Sequence, residues 1–282
     1  MPFQVFEAQS TSILSPTTGF IAQAGFTHSL TPARNCTFGC SYCYVPTMRI
    51  YGGLKPDDWR RWGQFTTVKV NAPELARRQL RGEQIIYCSP LVDPYQPAEQ
   101  EVQLMPRLLD AVLSRPPRIF VIQTRGPLIL RDLPQLIALS KATSLRVSFS
   151  ITTNREDVRK LYEPHCAAMD VRLDAIQQLR AAGIQTFATL APILPCDPEE
   201  LAALALAATD QDVIGDPLHV RAVKPHGATT REAAVALSKR KEFSAWLDPD
   251  FQADVTARIG AAIEKAGRKF ATGTEGFRWL SQ

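Results

Sequence analysis

The chain has 282 residues, with 32 Lys+Arg against 28 Asp+Glu and a formal charge of +4, a balance that excludes a polyelectrolyte and fits an ordinary globular protein. With 45% hydrophobic residues, 21% charged residues and no low-complexity tract, a chain of this length buries roughly 75% of its unfolded surface, so it needs neither disulfides nor a structural metal to fold, and general disorder is excluded. No segment approaches the about 20 apolar residues of a membrane span, and Met1–Glu7 lacks a basic stretch leading into an apolar one, so a cytoplasmic location is expected.

Short β-rich runs alternate with longer helical patterns, the signature of successive βα units and a parallel sheet. Strands are expected near Thr27–Leu30, Gln84–Cys88, Arg118–Gln123, Leu145–Ser150, Ile184–Leu190 and Leu218–Val223. Helices are expected at Pro73–Arg81, Glu101–Ser114, Leu133–Lys141, Met169–Ala182 and Glu199–Ala208, with Asp170 a candidate N-cap and Gly183 placed as a C-cap glycine. Residues 1–26, rich in Ser, Thr and Pro at Ser10–Thr18, read as irregular. Residues 27–227 form the βα unit, and residues 228–282 a closing helical segment with helices over Thr230–Leu247 and Phe251–Gly267. The tail from Phe270 suits a docked loop or short strand.

Charge is uneven. Residues 49–81 hold eight basic side chains (Arg49, Lys55, Arg60, Arg61, Lys69, Arg77, Arg78, Arg81) and three acidic ones (Asp57, Asp58, Glu74). Tyr51, Trp59, Trp62 and Phe65 are interleaved with them, a combination suited to phosphate contact and base stacking in DNA. The alternative is a solvated basic face with partly buried aromatics.

Six cysteines are too few for a disulfide scaffold, and three of them, Cys36, Cys40 and Cys43, fall inside eight residues, which points to metal binding in a reducing compartment. Three thiolates on one loop can wrap a cubane and leave its fourth iron without a protein ligand. Structural zinc would need a fourth ligand, for which His28 lies within a strand at no familiar zinc spacing. Free thiols are the remaining reading.

Asn35-Cys36-Thr37-Phe38-Gly39-Cys40-Ser41-Tyr42-Cys43-Tyr44 resembles the radical S-adenosylmethionine superfamily, whose motif is C-x3-C-x2-C with an aromatic before the third cysteine. The resemblance narrows to the spore photoproduct lyase-like branch, carried by Tyr42 and Tyr44 around Cys43, by Val92-Asp93-Pro94-Tyr95-Gln96-Pro97-Ala98-Glu99, and by Glu163-Pro164 ahead of Arg172-Leu173. It runs from about Leu30 to Gly227 and does not cover the last 55 residues. It implies an α/β fold, a partial (βα)6 TIM-like barrel, with functional residues at the C-terminal ends of the strands. It also implies a [4Fe-4S] cluster on Cys36, Cys40 and Cys43, S-adenosylmethionine as cofactor, a 5′-deoxyadenosyl radical for hydrogen abstraction, and a reducing partner such as flavodoxin or ferredoxin.

The polar residues just past the expected strands are Cys88 and Ser89, Thr124 and Arg125, Ser150 and Thr152, and Arg221 and Lys224. By resemblance Tyr42, Ser89, Asp93, Arg125 and Ser150 bind the cofactor, with turn capping the alternative for Ser89, Asp93 and Ser150. Arg125 departs from the branch, which has a lysine there, but keeps the cation and a fork able to grip a carboxylate. Glu163 and Arg172 fit a structural ion pair as well as a cofactor contact. The resemblance makes Cys88 the hydrogen donor to the product radical and Tyr42 and Tyr44 the return path; Cys88 could instead be simply buried, and the tyrosines could pack around the cluster. Cys196 is a rival donor, and Cys166 a bystander.

Three functions remain open. One is lyase-like repair of a thymine crosslink in DNA, and another is radical chemistry on a peptide, RNA or small metabolite. The third is a non-enzymatic metal-containing nucleic-acid-binding protein.

Overall fold

A computed structural model describes residues 3–47, 61–218 and 231–282. The strands are β1 (Gln4–Ala8), β2 (Leu14–Pro16), β3 (His28–Leu30), β4 (Ala33–Arg34), β5 (Phe65–Lys69), β6 (Ile85–Cys88), β7 (Ile119–Thr124), β8 (Ser144–Ser150), β9 (Gln185–Ile193), β10 (Val213–Pro217) and β11 (Phe270–Thr272). The helices are α1 (Gly19–Gln23), α2 (Ala72–Gln79), α3 (Glu99–Val102), α4 (Leu104–Ser114), α5 (Leu133–Ala142), α6 (Glu156–Tyr162), α7 (Met169–Ala181), α8 (Pro198–Ala208), α9 (Glu232–Arg240), α10 (Pro249–Lys265) and α11 (Gly273–Arg278).

The main sheet has the order β11-β10-β9-β8-β7-β6-β3-β2. Its β2–β3 pair is antiparallel, and every other pairing across it is parallel. A smaller sheet, β1-β5-β4, stands beside it. The two ends of the main sheet, β11 and β2, do not pair with each other among the described residues.

Strand alternation divides the side chains between two faces. Ile86, Cys88, Phe120, Ile122, Val147 and Phe149 share one buried cluster with helix residues such as Leu108, Leu109, Leu136, Leu139, Ile176 and Leu201. Tyr87, Ile119, Val121, Phe187 and Ile214 point the other way, into a second cluster with Phe26, Phe277 and Leu280. On that second face the next positions along the strands are polar. Tyr87 donates to Gln123 Oε1 at 2.7 Å, Gln123 donates to Ser150 Oγ at 3.0 Å, and the hydroxyls of Ser148 and Thr189 lie 2.5 Å apart.

Several expectations need correcting. The first 26 residues are not irregular, because β1 pairs in parallel with β5 and β2 extends the main sheet. The sixth parallel strand is Val213–Pro217 rather than Leu218–Val223, most of which lies outside the described residues. The tail from Phe270 does form the expected short strand: β11 adds an edge strand to β10, and α11 carries Phe277 against Phe20 and Tyr87. Asp170 does not cap α7, whose N-cap is Ala168, whereas Gly183 takes a positive φ of 78° just past the end of that helix.

Candidate active site

The cysteine loop follows β4 and is tied down at both ends. Thr37 donates its backbone N–H to Gln96 Oε1 at 2.7 Å, and the Thr66 hydroxyl donates to the Asn35 carbonyl at 3.1 Å. Ser41 N–H donates to the Tyr162 carbonyl at 2.9 Å, fastening the loop to the end of α6. Gly39 (φ +62°) packs backbone to backbone on Gly63 (φ +93°), where an added Cβ would stand 2.7 Å from the Gly39 Cα. Only glycine fits so close an approach in that conformation.

Cys36 and Cys40 are buried, Cys43 is half-buried, and none is in a disulfide. Burial pushes the Cys36 thiol well up, with Asp93 adding to the shift, and pushes Cys43 up to about 12. Cys40 moves the other way. A hydrogen bond from Cys166 lowers it most, burial opposes, and Arg125 lowers it further.

Among the described residues no three His, Cys, Asp or Glu side chains converge on one ion. Three thiolates on one loop suit a cubane, whose ligands each take a separate iron. His28 stays on β3, bonded through Nδ1 to Thr27 Oγ1 at 2.9 Å.

Behind the loop lies a buried ionic network. The Glu163 carboxylate accepts from Tyr42 OH at 2.5 Å, Thr152 Oγ1 at 3.0 Å, Arg172 Nη2 at 2.5 Å and Arg125 Nη1. Arg125 Nη1 also donates to the Tyr42 hydroxyl, with its guanidinium carbon 5.7 Å from the centre of that ring. Burial alone would raise Glu163, but Arg172 and then Arg125 outweigh it and hold the carboxyl at about 2. The Tyr42 phenol is driven upward by burial, partly offset by Arg125, so it is a neutral donor.

Asp93 is also engaged, accepting from Thr124 Oγ1 at 2.7 Å, the Arg125 N–H at 2.8 Å and the Tyr95 N–H at 2.9 Å. This carboxylate shapes the turn that presents Arg125. Ser89 is different, because its buried Oγ finds no partner among the described residues, nor do Asn35 Oδ1 and Ser41 Oγ beside the cysteines. Unpartnered buried polar atoms are costly, and their grouping around a thiol-bearing loop fits a bound polar cofactor. Ser150 faces the polar side of the sheet, where Gln123 already donates to it.

Cys88 ends β6, at the strand terminus where it was expected. Its side chain is fully buried on the helix-covered face with Ile86, one position out of phase with the polar face. Sequence reasoning missed Tyr87, its neighbour, which points to that polar face. Tyr44 is half-buried, with its hydroxyl 3.4 Å from the Pro90 carbonyl and close enough to Tyr87 to raise that phenol beyond what burial does. Gln96 and Gln123 were also missed, although a glutamine inside the apolar run Ile119–Thr124 is the signal that marks a polar strand face. Cys196, half-buried, follows β9.

The basic segment is only partly described. Arg49, Lys55, Arg60, Tyr51 and Trp59 lie outside the described residues. Trp62 and Phe65 are buried, so neither can stack on a base. Arg61 lies over Phe65 and donates to Gln4, Arg78 pairs with Glu74 at 3.5 Å, and Arg81 donates to the Arg78 and Leu80 carbonyls.

The sequence model of the Radical SAM superfamily matches residues 30–206, and the chain belongs to that superfamily. It is therefore an enzyme of the class that uses a [4Fe-4S] cluster and S-adenosylmethionine. An uncharacterised protein of Methanocaldococcus jannaschii is 30% identical over 161 residues, covering 57% of this chain and 58% of that protein. An uncharacterised protein of Mycobacterium tuberculosis is 26% identical over 174 residues, covering 60% of this chain and 50% of that protein. The chain thus spans little more than half the length of these curated relatives.

Among solved structures, spore photoproduct lyase complexed with dinucleoside spore photoproduct superimposes with a TM-score of 0.64 at 14% identity, covering 95% of this chain and 81% of that one. A mutant of the same lyase with bound AdoMet and dinucleoside spore photoproduct gives the same values. At that identity the likeness speaks for the fold. No described helix is long and apolar enough to cross a membrane.

Proposed function

We propose that the chain abstracts a hydrogen atom from a substrate held against the polar face of the main sheet, with Cys36, Cys40 and Cys43 holding the cluster and the six strands β3 and β6 to β10 acting as a partial (βα)6 barrel. The observation that carries this is the meeting of a thiol-bearing loop, with its unpartnered Asn35 Oδ1 and Ser41 Oγ, and the unpartnered Ser89 Oγ just past the C-terminal end of the parallel strand β6. When bound, the cluster and S-adenosylmethionine supply reductive cleavage to a 5′-deoxyadenosyl radical. Ser89 offers its unpartnered hydroxyl to the cofactor. Tyr42, Asp93 and Arg125 hold the loop and the strand end in place around it. Ser150 and Gln123 orient polar substrate atoms, and Tyr44 is the phenol placed to return a hydrogen atom. A reductant of the flavodoxin or ferredoxin type and a cytoplasmic location complete the reading, which six unbridged cysteines support.

For the substrate, the leading reading is a thymine crosslink in DNA, reversed in a lyase-like repair reaction, supported by the fold shared with spore photoproduct lyase. The test is anaerobic reconstitution followed by dithionite and S-adenosylmethionine, with and without DNA carrying spore photoproduct. Lesion-dependent thymine recovery supports repair. Cluster-dependent 5′-deoxyadenosine that ignores the lesion discards this substrate and keeps the radical chemistry. The second reading, another substrate such as a peptide, RNA or small metabolite, is favoured by the burial of Trp62 and Phe65, which leaves neither ring free to stack on a base.

A further inference from the structure

The fourth cysteine near the loop has no part in the reading above. Cys166 lies only four residues beyond the last turn of α6, and its Sγ stands 3.9 Å from Cys40 Sγ, with both side chains buried. Its backbone is held on both sides: Cys166 N–H donates to the Glu163 carbonyl at 3.0 Å, and the Cys166 carbonyl accepts from Arg159 Nη1 at 2.6 Å. Arg159 is itself buried and braced by Glu156 at 2.9 Å. The Ser41 N–H bond to the Tyr162 carbonyl locks the cysteine loop onto the same helix end. The sulfur–sulfur approach is therefore set by the backbone on both sides.

We propose that Cys166 is a positioning residue for the electron-transfer step, acting through Cys40: its S–H donates a hydrogen bond to the Cys40 thiolate and raises the reduction potential of the cluster. The proposal rests on the cluster reading above. A thiolate ligating iron has no proton, so only Cys166 can be the donor in this pair. Hydrogen bonds to the sulfurs of an iron-sulfur cluster stabilise the extra negative charge of the reduced state, which makes reduction easier.

The experiment compares the full chain with Cys166→Ser and Cys166→Ala, each reconstituted anaerobically and assayed for iron and sulfide. The midpoint potential of the cluster is then read by titration without S-adenosylmethionine, and exchangeable protons coupled to the reduced cluster are read by magnetic resonance in normal and heavy water. The expected result is a more negative potential for Cys166→Ala, a potential near that of the parent chain for Cys166→Ser, and loss of one exchangeable-proton signal in the alanine chain alone. Equal potentials in the parent and alanine chains at equal cluster content would overturn the proposal. So would an alanine chain that takes up no iron while the serine chain does, because Cys166 would then serve assembly. A parent chain that holds zinc without sulfide would defeat the cluster reading itself.

Discussion

Glu163 and Arg172 form an ion pair at 2.5 Å in which both side chains are completely buried, and the same carboxylate is shared with Arg125 and Tyr42. Removing the acid strands a buried guanidinium, which typically costs about 3–5 kcal/mol. Glu163→Gln is expected to lower the urea unfolding free energy by an amount of that order. A loss within the error of the extrapolation would show that the network contributes little.

The same network makes stability depend on acid pH. Glu163 is held at about 2 in the folded chain against its ordinary 4.5. Its stabilisation is therefore complete above the unfolded value and is lost as pH falls through that window toward the folded one. Unfolding midpoints followed between about pH 5 and pH 2 should fall more steeply for the parent chain than for Glu163→Gln; parallel curves would count against the assignment.

Gly63 controls the cysteine loop by absence of a side chain. In Gly63→Ala, the positive φ and the contact with Gly39 should together cost about 1–3 kcal/mol, and iron content after reconstitution should drop. Gly82→Ala, where an added Cβ meets nothing within 4 Å, is the matched control and should leave both unchanged. Equal iron content in the two variants would contradict the packing argument.

Cys88 and Tyr44 stand for two different hydrogen-atom roles. Cys88→Ala should leave product yield intact and cost about 1 kcal/mol of stability for the buried atom lost. Tyr44→Phe should preserve cluster content and folding but lower the return of hydrogen, so that 5′-deoxyadenosine accumulates faster relative to product. A stalled product radical in Cys88→Ala would instead identify Cys88 as the thiol donor.

Cys36→Ala, Cys40→Ala and Cys43→Ala combined should abolish bound iron and sulfide and all 5′-deoxyadenosine formation, with the far-ultraviolet circular dichroism unchanged. The sheet core is drawn largely from β6 to β9 and their helices. Unfolding of the triple variant would show that the loop is needed to close the fold.

The parallel strands β3 and β6 to β9 were legible to within a few residues, because apolar runs bounded by helical periods leave few alternatives. So were the three cysteines, because their spacing is chemical and local. The strands β1 and β5 were not, since β1 is mostly exposed and has no apolar alternation to mark it, and its partner lies some 60 residues away. The sixth strand was misplaced because Val213–Pro217 contains glycine, aspartate and proline, poor strand formers that are held in place by pairing with β9 and β11. Sequence alone thus determined the class of chemistry and the loop that carries it. Which side of a strand each residue faces is a matter of one position in the pleat, and that register is set by neighbouring strands and helices. Only the tertiary structure could place Cys88 in phase with buried Ile86, Tyr87 and Gln123 on the polar face, and Cys166 against Cys40.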